Sequence, residues 1–170
     1  QGCPLSPTLF ALFVNDLSEI VGGGVQIANT RINALLYADD IALIADTPGI
    51  LQQMIDRLSE YVKVWGLEIN LTKSQIIVFR PHWGRLTGSE RWRLDDQCID
   101  VVDSYRYLGI VLSYNLQLKR HFMEKSRAAR AGINSIWHGL FSAADVPTEV
   151  KFRVFDAVTL ATVCYGAQFW

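Results

Sequence analysis

The chain has 170 residues, 50% of them hydrophobic and 19% charged, a composition that supports one sizeable core and excludes a disordered polymer. Sixteen Lys and Arg against 17 Asp and Glu leave a formal charge of −1, so the overall balance argues against both a polybasic tail and an acidic solvating one. The average conceals a gradient: residues 1–79 carry 4 basic and 8 acidic side chains, whereas residues 80–170 carry 12 and 9. Cys3, Cys98 and Cys164 form no CxxC pair, and an odd number suits no closed disulfide framework, which points to a reducing, intracellular setting. The most apolar stretch, Val154 to Trp170, is interrupted by Asp156 and falls short of the roughly 20 apolar residues that a spanning helix needs, so no membrane span is expected. No leader pattern opens the chain and its first methionine is Met54, so it reads as a fragment of something longer.

The opening segment places Leu9, Phe13, Leu17 and Ile20 on one stripe of an amphipathic helix, with Ser6 as N-cap and Pro7 in the first turn. Gly22, Gly23 and Gly24 end it. The following residues read as short β-prone pieces, among them a hairpin of Ile32–Tyr37 and Ile41–Ala45 with Asp39 and Asp40 at its turn. After Pro48, the helical recurrence of Leu51, Ile55, Leu58, Val62 and Trp65 runs until Gly66 stops it. Strands are expected at Glu68–Asn70 and Gln75–Phe79, then a surface loop and turn through 81–97. Cys98–Val102 and Tyr105–Leu112 read as strands around a turn near Asp103 and Ser104. Helical spacing returns from Leu118 to Phe141, with Phe122, Ala129, Ile133, Ile136 and Leu140 on the packing side and Lys119, Arg120, Arg127 and Arg130 on a neighbouring face. A last helix starts at Pro147 and runs into the Tyr165-Gly166 break. Strands dominate to about residue 113 and helices follow, which gives an α+β class and a soft boundary there.

Four stretches carry possible chemistry. Adjacent carboxylates at a hairpin turn make a stiffly mounted negative spot whose hard oxygens suit Mg²⁺, the arrangement a polymerase requires. Alone, Asp39-Asp40 reads rather as a solvated turn, as Asp95-Asp96 illustrates in the same chain. Gln1 to Pro7 forms a helix entry where free N–H groups meet a phosphate or base, or else a plain helix start. Lys73, after Gly66-Leu67-Glu68-Ile69-Asn70, is placed to neutralise or protonate a leaving pyrophosphate, or is a surface lysine in a turn. Tyr105 to Ile110 pairs aromatic and basic side chains with Gly109, where a backbone or ligand approaches closely, or is a buried aromatic edge.

QGCPLSP, YADD, GLEINLTKS and YRYLGI occur here in the order and at the approximate spacing seen in reverse transcriptases, weak signals singly and specific together. The chain most resembles those of non-LTR (LINE-like) retrotransposons, and its ending CYGAQFW resembles the end of their thumb. The resemblance covers nearly all 170 residues, with 81–93 the least diagnostic part. It implies a partial polymerase palm, an antiparallel sheet with packed helices, over 1–113, and a helical thumb over 114–170.

The implied activity is RNA-directed DNA polymerisation, the Mg²⁺-dependent transfer of dNTPs to a primer 3′-end in retrotransposition. Carried over to this sequence, the resemblance assigns Asp39 as a direct metal ligand and Asp40 as the weaker second carboxylate. Tyr37 then touches the primer end, Gln1 and Gly2 contact the templating pair and the incoming nucleotide, and Lys73 lies by the triphosphate as proton donor. Tyr107, Leu108 and Gly109 brace the primer. The family assigns nothing to Lys119, Arg120, Arg127 and Arg130, whose cationic face either grips duplex phosphates or is a solvated surface. One more metal-binding aspartate and the fingers precede the QG helix in this family, so the two-ion site is incomplete here and the isolated chain is expected to be inactive. RNA template, DNA primer, dNTPs and an upstream polyprotein are the implied partners, with no membrane. The nucleus, with a cytoplasmic ribonucleoprotein stage, is the implied location. The alternative is a non-catalytic RNA-binding remnant or repurposed palm and thumb module. An unrelated Mg²⁺ phosphohydrolase using Asp39 and Asp40 leaves the other three motifs unexplained.

Overall fold

The computed structural model describes residues 4–80 and 90–169. It is a mixed α+β chain, as expected from the sequence, but its described strands form small separate sheets, one with a parallel pair, where one antiparallel sheet was expected; no described helix is long and apolar enough to cross a membrane. The described residues fall into two compact units, within Gln1–Ile76 and Arg85–Val101 for the first and within Ile77–Gly84 and Val102–Trp170 for the second.

The first unit opens with two short helices, α1 (Ser6–Phe13) and α2 (Leu17–Val21), where a single helix was expected. Asn15 and Asp16 fall at the joint, residue types whose side chains compete for backbone hydrogen bonds, and the Leu17 N–H turns back to the Val14 carbonyl at 3.1 Å. Ser6 is not the cap: Leu5 holds that position without a side-chain bond, while Pro7 lies in the first turn as expected. The glycines do end α2. Gly22, Gly23 and Gly24 all have positive φ, and a Cβ on Gly23 would come within 2.6 Å of the Met54 sulfur.

Two antiparallel hairpins follow, β1 (Val25–Ile27) with β2 (Thr30–Ile32) and β3 (Ala34–Tyr37) with β4 (Asp40–Leu43). Helix α3 (Pro48–Val64) begins as a capped helix should: Thr47 Oγ1 accepts the Ile50 N–H at 3.3 Å, and Pro48 takes the first helical position. It ends in a Schellman motif, with the Leu67 N–H donating to the Val62 carbonyl at 2.8 Å and Gly66 at φ 65°.

Leu17 and Val21 of α2 pack on Met54, Leu58, Tyr61 and Val62 of α3, joined by Ala34, Leu43, Ala45, Ile50, Leu67 and Ile69. Full burial of each large aliphatic side chain contributes about 1.5–3 kcal/mol. The Tyr61 hydroxyl donates to Asp16 at 2.7 Å; burial and that acceptor push its pKa up to about 12, so it stays a donor. Trp65, expected on the packing stripe, is 45% exposed and meets Phe13 edge-on at 4.9 Å between ring centroids.

Beyond α3 the structure corrects several expectations. Glu68–Asn70 is not a strand; it is an irregular segment whose Leu67 and Ile69 rest on the core. The strand expected over Gln75–Phe79 is only β5 (Gln75–Ile76), paired in parallel with β7 (Gln97–Val101). Most of the expected loop, 81–89, lies outside the described residues, but its end is β6 (Trp92–Leu94), antiparallel to β7 through a two-residue turn at Asp95 and Asp96. Trp92 and Leu94 are buried and Arg93 exposed, the alternation of a half-buried strand, and the Trp92 indole N–H donates to the Pro48 carbonyl at 3.0 Å.

In the second unit Tyr105–Leu112 is not one strand but a hairpin, β8 (Ser104–Tyr107) with β9 (Ile110–Ser113), turned at Leu108 and Gly109. Its partner is not the preceding strand, since β7 pairs with β5 and β6. Helix α4 (Lys119–Ile136) runs into a π-helical turn through Phe141. A second helical run, α5 (Thr148–Phe155), a π-helical turn and α6 (Ala161–Val163), reaches the Tyr165-Gly166 break. The packing side of α4 is largely the expected one, with Ala129 buried and Ile133, Ile136 and Leu140 half-buried, but Phe122 is 37% exposed and His121 is buried in addition. The histidine is accommodated there because its two ring nitrogens both find backbone partners.

Candidate active site

Hairpin β3–β4 is closed by a two-residue loop, Ala38 and Asp39, with Ala38 at the left-handed φ of 51°. Asp40 is the first residue of β4 and lies opposite Tyr37. Facing residues share a side of the sheet, so Tyr37, Asp40, Leu35 and Ala42 form one side, and Leu36, Ile41, Ala34 and Leu43 the other. Ala34 and Leu43 rest on the core, which turns Tyr37 and Asp40 away from it. Tyr37 is 63% exposed, and Asp39 and Asp40 are exposed. Among the described residues no hydrogen bond or ion pair engages either carboxylate.

Asn33, which nothing in the sequence singled out, anchors the hairpin. Its amide donates to the carbonyls of Ser18 at 2.6 Å and Gly22 at 3.1 Å, and its own carbonyl accepts the Ile44 N–H at 2.8 Å. The base of the hairpin is thereby tied to α2. An asparagine at the junction of two β-prone pieces is an ordinary turn residue in sequence; only the return of α2 gives it partners.

Lys73 is exposed in a tight turn of the same unit. The Asn70 carbonyl accepts from the backbone N–H of Lys73 at 3.1 Å and of Ser74 at 3.0 Å, and Asn70 Oδ1 accepts the Thr72 hydroxyl at 2.7 Å. Gln1 and Gly2 lie outside the described residues. Tyr107, Leu108 and Gly109 belong to the second unit, at the closed end of β8–β9, with φ 47° at Leu108 and 78° at Gly109.

Helix α4 presents Lys119, Arg120, Arg127 and Arg130 on its exposed side. Arg120 donates to the Ser104 hydroxyl at the base of the hairpin, and Arg106 pairs with Glu124. Lys119, Arg127 and Arg130 make no ion pair among the described residues.

Among the described residues no three His, Cys, Asp or Glu side chains are grouped to hold a metal ion. Asp39 and Asp40 supply two adjacent, unengaged hard oxygen donors. That set fits a small divalent cation that completes its shell with water and phosphate oxygens.

The family described as reverse transcriptase (RNA-dependent DNA polymerase) matches residues 1–112. A transposon-derived protein of Caenorhabditis elegans is 30% identical over 154 residues, covering 86% of this chain and 51% of that protein. The RNA-directed DNA polymerase from mobile element jockey of Drosophila melanogaster is 25% identical, covering 99% of this chain and 19% of that protein. A Pol polyprotein from retrotransposable element R2 of Popillia japonica is 26% identical, covering 99% and 24%. The chain thus spans about half or less of the length of these relatives.

Proposed function

The chain belongs to the reverse transcriptase (RNA-dependent DNA polymerase) family, of the non-LTR retrotransposon type, and on that premise we propose that it supplies part of the active site of an RNA-directed DNA polymerase. The first unit, with β8–β9 added, is read as palm over 1–113, and 114–170 as thumb. The observation that carries the reading is the pair Asp39 and Asp40, exposed and unengaged on the end of a hairpin whose base is bonded to a helix. A carboxylate pair meant only to solvate a turn has no need of such an anchor.

In the reaction a primer 3′-oxygen attacks the α-phosphorus of a dNTP, a new phosphodiester bond forms, and pyrophosphate leaves. The family's chemistry depends on divalent metal, here Mg²⁺; when bound, it lowers the negative charge against which the attacking and leaving oxygens react. Asp39 and Asp40 would hold it. Tyr37, on the same side of the sheet as Asp40, orients the primer end. Lys73 donates the proton that the leaving pyrophosphate takes up, and Gln1 and Gly2 contact the templating pair and incoming nucleotide. Tyr107, Leu108 and Gly109 brace the primer, and the cations of α4 meet duplex phosphates. A third carboxylate, on the further palm strand of this family, would complete the set; such a strand would pair with an edge of the two-stranded β3–β4 sheet. Template RNA, primer DNA, dNTPs and the rest of a retrotransposon polyprotein are the partners, in the nucleus after a cytoplasmic ribonucleoprotein stage.

The test is primer extension on an RNA template by the full-length protein. Asp39→Asn is expected to lower kcat by about 10²–10³-fold while template binding is retained, the magnitude seen when a group stabilising developing charge is removed. Extension that survives Asp39→Asn overturns the reading. A wild-type protein that binds RNA in a salt-sensitive way without extending a primer leaves the binding-module reading in its place.

A further inference from the structure

We propose that Tyr165 and His121 are positioning residues that latch the Leu108-Gly109 turn of β8–β9 in the conformation that meets the primer; this rests on the reading of that turn as a primer contact. The turn is costly by itself. Leu108 has φ 47°, a left-handed conformation that costs a non-glycine residue about 1–2 kcal/mol, and Gly109 follows at φ 78°. A turn of this kind persists in one form when its surroundings hold it.

The hold comes from 57 residues away. The Tyr165 hydroxyl donates to the Leu108 carbonyl at 2.6 Å, and its ring lies so close to Gly109 that a Cβ there would stand 3.1 Å from Cε1. The positive φ favours glycine at 109, and a Cβ there would press on the ring and push it aside by a few tenths of an ångström. The Lys125 ammonium sits 4.2 Å from the centre of the same ring. Tyr165 is fixed in turn through its backbone: His121, 1% exposed, donates from Nε2 to the Tyr165 carbonyl at 3.1 Å and accepts the Val111 N–H on Nδ1 at 3.3 Å. Those partners define a neutral Nε2–H imidazole that joins α4 to β9 and to the Tyr165-Gly166 turn. Gly166 at φ 85° lets the chain turn beside it.

Tyr165 remains 47% exposed. A tyrosine conserving core volume would be buried; this one spends its hydroxyl on a hairpin tip at the surface. The latch makes the turn's geometry depend on the end of the second unit, so the two segments act on the primer as one element.

The experiment uses the full-length protein and Tyr165→Phe, which keeps the ring and deletes only the hydroxyl. Amide exchange at Leu108 to Ile110 is expected to rise by about 3–10-fold, the worth of one hydrogen bond. The KM for primer–template rises by a similar factor with the KM for dNTP unchanged, and the unfolding midpoint falls by no more than the loss of that one hydrogen bond explains. His121→Asn, which keeps an acceptor for Val111 and loses the donor to Tyr165, moves the same readouts in the same direction. Gly109→Ala reports on the turn itself. If Gly109→Ala raises the primer KM while Tyr165→Phe changes neither it nor the amide exchange, the latch is wrong and the primer contact stands. If Gly109→Ala leaves primer KM unchanged, the primer contact fails and the inference falls with it. A Tyr165→Phe protein whose midpoint drops and whose kinetic constants all worsen together assigns Tyr165 to stability alone and overturns the proposal.

Discussion

Two acidic hairpin turns in this chain look alike at the level of the dipeptide and differ in what surrounds them. Asp95 has φ 52° and Ala38 has φ 51°, and each begins a two-residue loop. Asp95, however, accepts the Lys63 ammonium at 2.6 Å and the Ser59 hydroxyl at 2.7 Å, and these bonds, Lys63 first, hold its carboxyl below the ordinary aspartate range. Asp39 and Asp40 have no such partners among the described residues. Asp95 is engaged by the protein itself, whereas the exposed carboxylates of Asp39 and Asp40 are open to a ligand. A depressed folded-state pKa gives stability that is present above the unfolded value and lost as pH falls through the folded one. Asp95→Asn is therefore expected to lower the unfolding midpoint slightly at pH values above ~5, where the Lys63 and Ser59 bonds are intact in the wild type, and to flatten the loss of stability below pH ~4, the ordinary aspartate range. Thermal unfolding from pH 2 to 7 (~1 unit steps suffice to see the limb) checks it, and an acid limb identical to wild type contradicts the role of the Lys63 pair.

At the scale of the element, α4 separates two kinds of residue by face. His121 and Ala129 face inward, while Lys119, Arg127 and Arg130 stand exposed, without ion pairs among the described residues. A surface cation that only solvates a helix contributes little, whereas one that meets a phosphate releases a counterion. Arg127→Ala with Arg130→Ala is expected to weaken binding of a primer–template duplex and to reduce the slope of log K against log salt by about 1.8, or 0.9 per phosphate contact. Binding titrations between about 50 and 200 mM salt measure this. An unchanged slope assigns the face to solvent. Of the stripe read from the sequence, Ala129, Ile133 and Ile136 do turn from solvent and only Phe122 does not; what the stripe missed is His121, because apolar spacing reads a histidine as polar and outward, whereas one bonded at both nitrogens is a core residue.

On the scale of the whole molecule, apolar surface is left open where the proposed catalytic hairpin stands. Leu35 is 43% exposed and Leu36 38%, one on each side of a sheet of two strands, and such a ribbon is marginal without further cover. Leu5, Leu9 and Leu12 are exposed on α1 as well. The 170 residues expressed alone are therefore expected to self-associate and to show no primer extension, and Leu35→Thr is expected to shift sedimentation towards the monomer. A monomeric chain with one cooperative unfolding transition contradicts this.

The sequence by itself determined what is local. Asp39 and Asp40 are neighbours in the chain, Thr47-Pro48 and Gly66 bound a helix through bonds within a turn of it, and the family motifs survive as short strings. The hairpin turn at Leu108 and Gly109 was within reach of the same logic, since a glycine between alternating residues marks a loop as readily as a strand. Only the tertiary structure decided which polar groups are engaged: Asn33 with Ser18 and Gly22, Asp95 with Lys63, and His121 with Tyr165 across 44 residues. The reason is physical. A hydrogen bond within a turn is specified by the backbone geometry of a few residues, whereas one that closes a long loop exists only because the burial of other residues brings its ends together.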